Sequence, residues 1–326
     1  MTARIWLAGA TGYIGRALAK ELVARGHAVT ALVRPGALER VDDLTRAALA
    51  SCRLVEAELT EAGLREAGLA HEPVDAVFSC IASRTGVSED AWRVDHGANV
   101  ALLSAAQTAG ARQFVLLSAI CVQRPQLAFQ HAKLAFEAAL QASGMAFSIV
   151  RPTAFFKSLA GQVERVKAGK PFLVFGDGAL TACKPISEGD LARYLADCLD
   201  DPARTNRILP IGGPGPAITP REQGEMLARV LGVEPTIRSV PVGLFTFIGA
   251  LLAPLALVSR RMAEKAELAR IGRFYATESM LLWNEAAQAF DAEGTPETGT
   301  ETLEQFYERV ASEGLAGQEL GAAKVF

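Results

Sequence analysis

The sequence predicts an α/β fold, a doubly wound parallel sheet carrying a smaller C-terminal lobe. Two observations lead there. Apolar runs of strand length alternate with helical patterns through the first half of the chain, and those runs are continuously apolar rather than alternating. Strands of that kind are covered on both faces, which is the condition of a parallel sheet wrapped by helices.

The first run, "RIWLAGA", begins at Arg4. It is followed by "IGRALAKELVARG", with Ile14, Leu18, Leu22 and Val23 on one helical face and a stop at Gly26. "AVTALV", "CRLVEAEL", "AVFSCIA", "QFVLLSA" and "FSIVRP" supply strands two to six, and "RILPIGG" (207–213) a seventh that returns to the sheet. Beyond Pro152 the rhythm breaks and Gly and Pro accumulate. Residues 1–151 are therefore expected to form the core. Residues 152–206 and 214–311 form the lobe over the carboxyl ends of the strands, where such sheets bind ligands. Residues 312–326, rich in Gly and Ala, are expected to be a flexible tail.

A chain of 326 residues, 50% hydrophobic, can bury one large core. A net charge of −3 without a basic run argues against a nucleic-acid surface. Five scattered cysteines and four dispersed histidines form no metal-ligand or disulfide pattern, which fits a reducing, cytoplasmic setting. No signal peptide is expected ahead of the first strand. Val240 to Ser259 carries no charge, with Arg238 before it and Arg260 and Arg261 after it. Pro241, Gly243, Gly249 and Pro254 interrupt it. A buried or pocket-lining helix and a helix resting on a membrane surface both fit, the former better; a true span fits worst.

"GATGYIG" places Gly9, Thr11, Gly12, Tyr13, Ile14 and Gly15 between the first strand and its helix. Glycines let the backbone approach a pyrophosphate, and the helix N-terminus offers N–H donors and a positive dipole end. The fold is thus of Rossmann type, with G-x-x-G-x-x-G spacing similar to that of extended and atypical short-chain dehydrogenases. Strand two ends in "ALVRP" with Arg34 where an NAD-specific site carries an acid. A guanidinium there suits a 2′-phosphate, so the expected cofactor is NADPH; the alternative is an ordinary surface arginine. Glu58 falls where this fold meets the adenine. Cys80, Ile81 and Ala82 follow strand four and are expected to run along the cofactor.

Ser118 closes strand five and Lys133 lies on the next helix, the spacing by which short-chain dehydrogenases place their chemistry. Four residues before that lysine most of them have a tyrosine; here stands Phe129. The ribose grip of Lys133 is kept while the acid for carbonyl reduction is missing. Reduction of a conjugated C=C bond, which needs no oxyanion donor, fits this set. So does a protein that binds the dinucleotide and does no chemistry.

The stretches "LLSAICVQRPQLAFQHAKLAFE", "SIVRPTAFFKSLAGQVERVKAGKP", "VFGDGALTACKPISEGDLA", "LPIGGPGPAITPREQGEML" and "IGRFYATESML" add a longer signature. With "GATGYIG" they span most of residues 5–282, and they closely resemble the 8-vinyl reductases of chlorophyll and bacteriochlorophyll synthesis, atypical short-chain dehydrogenases of the NmrA-like superfamily. The resemblance implies a photosynthetic enzyme. It implies NADPH-dependent reduction of the C8 vinyl group of a divinyl Mg-chlorin or Mg-porphyrin to ethyl. Lys133 would hold the nicotinamide ribose and is one candidate proton donor, beside water or a hydroxyl. Ser118 would orient nicotinamide or substrate, and Pro152 and Thr153 would shape the nicotinamide pocket. Phe129 would be a flat wall for the macrocycle, Phe155 and Phe156 would pack on it, and Lys157 and Lys184 would pair with its propionate. A core role fits the two phenylalanines better, and a solvated or structural role fits the two lysines equally well. No metal ligand is expected. Three alternatives remain: an NADPH-binding regulator of the NmrA-like kind, an isoflavone-reductase-like enzyme, and a structural subunit.

Overall fold

The computed structural model describes residues 2–256 and 259–314. Seven parallel strands form the main sheet in the order β3-β2-β1-β4-β5-β6-β8. They are β1 (Arg4–Ala8), β2 (Ala28–Val33), β3 (Arg53–Glu56), β4 (Ala76–Ser79), β5 (Gln113–Leu117), β6 (Ala146–Pro152) and β8 (Arg207–Ile211). Side chains alternate between the faces, as a pleated strand requires. Leu7, Val115 and Val150 meet Leu18 and Leu22 of the Tyr13–Ala24 helix and Leu191 and Leu195 of the Glu188–Asp197 helix. Trp6, Val77, Phe114 and Leu116 meet Leu102 of the Asn99–Thr108 helix and Phe136 and Leu140 of the Ala128–Ala142 helix. The doubly wound sheet is the one expected, with the strand from Arg207 closing its edge beside β6.

Within 152–206 the Glu188–Asp197 helix packs on the sheet against the first helix. The lobe has a core of its own, in which Phe156, Val174, Leu227, Phe306 and Tyr307 are enclosed. Strands β7 (Phe172–Phe175) and β9 (Ile237–Val240) pair in parallel there, and β10 (Leu282–Asn284) and β11 (Ala289–Asp291) form a hairpin. A strap then ties lobe to sheet. Gly212 N–H donates to Pro296 at 2.8 Å and Thr298 N–H to Gly212 at 2.9 Å. The buried carboxylate of Asp190 accepts the N–H groups of Thr300 (3.3 Å) and Glu301 (3.1 Å), the Ser187 hydroxyl and the Arg193 guanidinium. Gly299 makes this possible: its φ is +85°, and a Cβ there would lie 2.1 Å from Asp190 Cγ.

The uncharged segment forms the helix Gly243–Ala256, which packs along the helix Arg260–Thr277; Leu257 and Val258, also part of it, lie outside the described residues. Phe245 joins this helix to its neighbours, its ring 4.9 Å from that of Phe175 and filling the space a Cβ on Gly272 would need. Phe247 and Leu251 are 65% and 62% exposed, so this helix is neither enclosed nor lipid-spanning in length. No described helix is long and apolar enough to cross a membrane.

Removing the strap's anchor strands two backbone donors, the N–H groups of Thr300 and Glu301. Asp190→Ala is expected to lower unfolding stability by about 2–4 kcal/mol, read as a shifted urea midpoint, while the surface variant Glu39→Ala shifts it by less than about 0.5 kcal/mol.

Candidate functional site

Gly9, Cys80, Ser118 and Pro152 all stand at the carboxyl ends of their strands, around the switch point between β1 and β4 where such a sheet opens. Gly9 has φ +80°, and a Cβ there would sit 2.5 Å from the carbonyl oxygen of Cys80. One on Gly15 would lie 2.0 Å from the oxygen of Gly9. Gly12 precedes the Tyr13–Ala24 helix and no side chain caps that end, which leaves its N–H groups for an anion. Thr11 lies half-buried in the loop. Ile14 is buried in the core, so only its backbone faces the cradle.

Tyr13 donates its hydroxyl to Glu188, and Lys157 Nζ lies 5.2 Å from its ring centroid. Burial, reinforced by the Glu188 carboxylate, holds the phenol far above its ordinary pKa, so it stays a neutral donor. Lys157 is thus placed on the glycine-loop side. Arg34 is exposed directly after β2, and Glu58 is exposed after β3. Cys80 continues β4 by donating to Ala8 at 2.9 Å, and burial pushes its thiol up to about 12. Ile81 is buried and Ala82 exposed. A cradle without Cβ atoms, an open helix end and an exposed guanidinium after β2 together fit a dinucleotide with its phosphates.

The chemistry-bearing residues fall into two buried networks. Lys133, whose side chain is 12% exposed, pairs through Nζ with Asp95 Oδ1 at 2.8 Å. Asp95 lies on π-helical turns over Trp92–Ala98, and its Oδ1 also takes Ser83 N–H at 3.4 Å. Four residues further along the Ala128–Ala142 helix, Glu137 accepts the Ser118 hydroxyl at 2.5 Å and the Arg151 guanidinium. The Ser118 proton is therefore committed to a carboxylate, and lone pairs are what its oxygen can offer a ligand. Asp95, Glu137, Arg151 and Glu188 were not singled out by sequence reasoning. A signal existed for two of them: Asp95 and Glu137 are acids on otherwise apolar inner helix faces.

Phe129 is buried with Cys121, Leu127, Ile271 and Phe274. The Arg260–Thr277 helix covers it, so the wall expected for a macrocycle is packed and becomes reachable only if that helix shifts. Phe155 is half-buried 6.3 Å from the Tyr13 ring, whereas Phe156 is fully enclosed in the lobe core against Phe306. Thr153 is buried and donates to the carbonyl of Lys184. The Lys184 ammonium donates to Thr295 O at 3.3 Å and Glu297 at 3.1 Å, which occupies it in the strap. The structure thus gathers Gly9–Gly15, Cys80–Ala82, Ser118 and Lys133 at one edge, and sets Phe156 and Lys184 into packing.

The family described as NAD(P)H-binding matches residues 9–202. A divinyl chlorophyllide a 8-vinyl-reductase of Oryza sativa subsp. indica is 51% identical, over 99% of this chain and 82% of its own length. The protein of that name in Cucumis sativus is 48% identical over 99% and 79%. Among solved structures, AtPrR2 with NADP+ and (+)-pinoresinol superposes with a TM-score of 0.67 at 18% identity, covering 94% of this chain and 98% of its own. A Thermus thermophilus UDP-glucose 4-epimerase complex with NAD gives 0.58 at 22%, over 73% and 86%. At such identities the structures speak for the fold alone. An open dinucleotide cradle and near-half identity along almost the whole chain lead to one assignment: this chain belongs to the divinyl chlorophyllide a 8-vinyl-reductase family, NAD(P)H-dependent oxidoreductases with a Rossmann-type core.

Proposed function

We propose that this chain uses NADPH to reduce the C8 vinyl group of divinyl chlorophyllide a, or of divinyl protochlorophyllide, to an ethyl group in chlorophyll or bacteriochlorophyll synthesis. The observation that carries the reading is the 51% identity, over 99% of the chain, to a relative bearing that reaction's name. The phenol-free position 129 beside a retained Lys133 supports it. A vinyl group conjugated with a tetrapyrrole takes hydride at its terminal carbon, and the charge spreads into the ring, so no oxyanion donor is needed.

NADPH, when bound, supplies the hydride. The chain's part is to bind and orient. Gly9–Gly15 receive the pyrophosphate and Arg34 the 2′-phosphate. Glu58 lies toward the adenine, and Cys80–Ala82, Pro152 and Thr153 border the nicotinamide. Lys133 holds the nicotinamide ribose and is one candidate source of the proton that the inner vinyl carbon takes up, beside water or a neighbouring hydroxyl. Positioning of this kind supplies much of such a rate. Phe129 and Phe155 form the apolar side of the macrocycle site. Lys157, beside the glycine loop, suits either a substrate carboxylate or the cofactor's phosphates; Phe156 and Lys184 support that site from behind. Phe247 and Leu251, exposed between Arg238 and Arg261, suit a peripheral contact with an anionic bilayer, from which an apolar pigment would be drawn.

Mixed with NADPH and divinyl chlorophyllide a, the purified protein is expected to shift the Soret band to the blue and yield the monovinyl pigment by chromatography. NADPH binding without any pigment conversion would move the assignment to a dinucleotide sensor. Arg34→Ala is expected to narrow the NADPH-over-NADH preference in kcat/KM by roughly tenfold or more; an unchanged ratio would remove Arg34 from the 2′-phosphate site. In flotation with anionic vesicles the parent protein should rise with lipid and Phe247→Glu/Leu251→Glu should stay below. Parent protein that never floats would end the membrane reading.

A further inference from the structure

We propose that Asp95 is the positioning residue that sets Lys133 on the nicotinamide ribose. The inference rests on the reading in which Lys133 grips that ribose. An ammonium has three N–H donors. Asp95 Oδ1 takes one at 2.8 Å, which fixes the direction of the others and leaves two for a vicinal diol. The same oxygen accepts Ser83 N–H at 3.4 Å, so one carboxylate joins the lysine to the loop after β4 that borders the cofactor.

Asp95 is itself held firmly. Asn99 donates to its carbonyl oxygen at 2.9 Å and accepts the Ser79 hydroxyl at 2.5 Å, which links the π-helical turn to the end of β4. Such turns widen a helix by one residue and recur at functional sites. Here the turn lies where the acid faces Lys133.

The pair does not look optimised for stability. Asp95 is 1% exposed, yet its Oδ2 has no hydrogen-bond partner among the described residues. Buried carboxylate oxygens are normally satisfied, and a buried ion pair is often no more stable than apolar residues of similar size. Orientation of the ammonium accounts for what stability does not.

The test is a double-mutant cycle read by NADPH binding, followed through nicotinamide fluorescence without any pigment, and by thermal unfolding. Asp95→Leu and Lys133→Met are each expected to weaken NADPH by roughly tenfold. The double variant should bind no more weakly than Lys133→Met alone, because Asp95 acts through the lysine. It should also melt higher than Lys133→Met, since it no longer buries an unpaired carboxylate. Asp95→Asn keeps an acceptor for the ammonium and is expected within about threefold of the parent. Losses that add in the double variant, or an Asp95→Leu protein that binds like the parent, would overturn the proposal. If Asp95→Leu does not fold, the comparison of Lys133→Met with the double variant decides, together with Asp95→Asn; an asparagine variant as weak as Lys133→Met overturns it. A Lys133→Met protein with parental affinity would instead refute the ribose-grip reading on which the proposal stands.

Discussion

The close passage of the Gly9 backbone past that of Cys80 is the constraint on which the site depends. Two parallel strands end side by side, and their chains part in opposite directions. A side chain at position 9 would collide with a carbonyl oxygen on the neighbouring strand. Without one, β1 can run to its end beside β4, turn into the Tyr13–Ala24 helix and leave that helix's N-terminus facing the gap. Gly15 repeats the demand one turn later against Gly9 itself. Other parts of the site are arranged around that gap: Ser118 and Pro152 at the next strand ends, and Lys133 on the helix that leaves β5.

Around the gap the protein has exchanged one kind of chemistry for another. Where related folds put a phenol, Phe129 enters an apolar cluster roofed by Ile271 and Phe274. Polarity moves inward instead, into the Lys133–Asp95 pair and the Ser118–Glu137–Arg151 network. In these networks serine and lysine are oriented by buried carboxylates. Such an arrangement holds ligands steady and offers few loose protons, which suits chemistry whose developing charge is absorbed by the substrate.

Much of this was legible in the sequence because it follows from short-range rules. Continuous apolar strands and the glycine spacing each report on a local stretch, and the sheet and its cradle follow from them. The partners of the key residues were not legible in the same way. Asp95 reaches Lys133 across 38 positions, and Lys184 meets Glu297 across 113; nothing local encodes such pairings. Phe156 illustrates the reverse difficulty. A double phenylalanine after a strand reads equally as pocket or core, and only the lobe's own packing against Phe306 decides. The helix Gly243–Ala256 shows a third limit: its apolar content is plain in the sequence, but which face is left uncovered depends on the neighbouring helix.

The strap that passes Gly212 and ends on Asp190 has a consequence for how the molecule comes into being. Its residues, Pro296 to Glu301, follow the surfaces they fasten at long range in the sequence: Thr300 and Glu301 lie 110 and 111 positions beyond Asp190. During synthesis the strands and helices that form the dinucleotide cradle emerge first and can close on one another. The lobe is fastened to the sheet only when Pro296 to Glu301 reach Gly212 and Asp190. Closure of the lobe on the sheet is therefore a long-range event, joining Thr300 to Asp190 across 110 positions, and contacts of such separation carry a larger loop-closure cost than those that build the cradle.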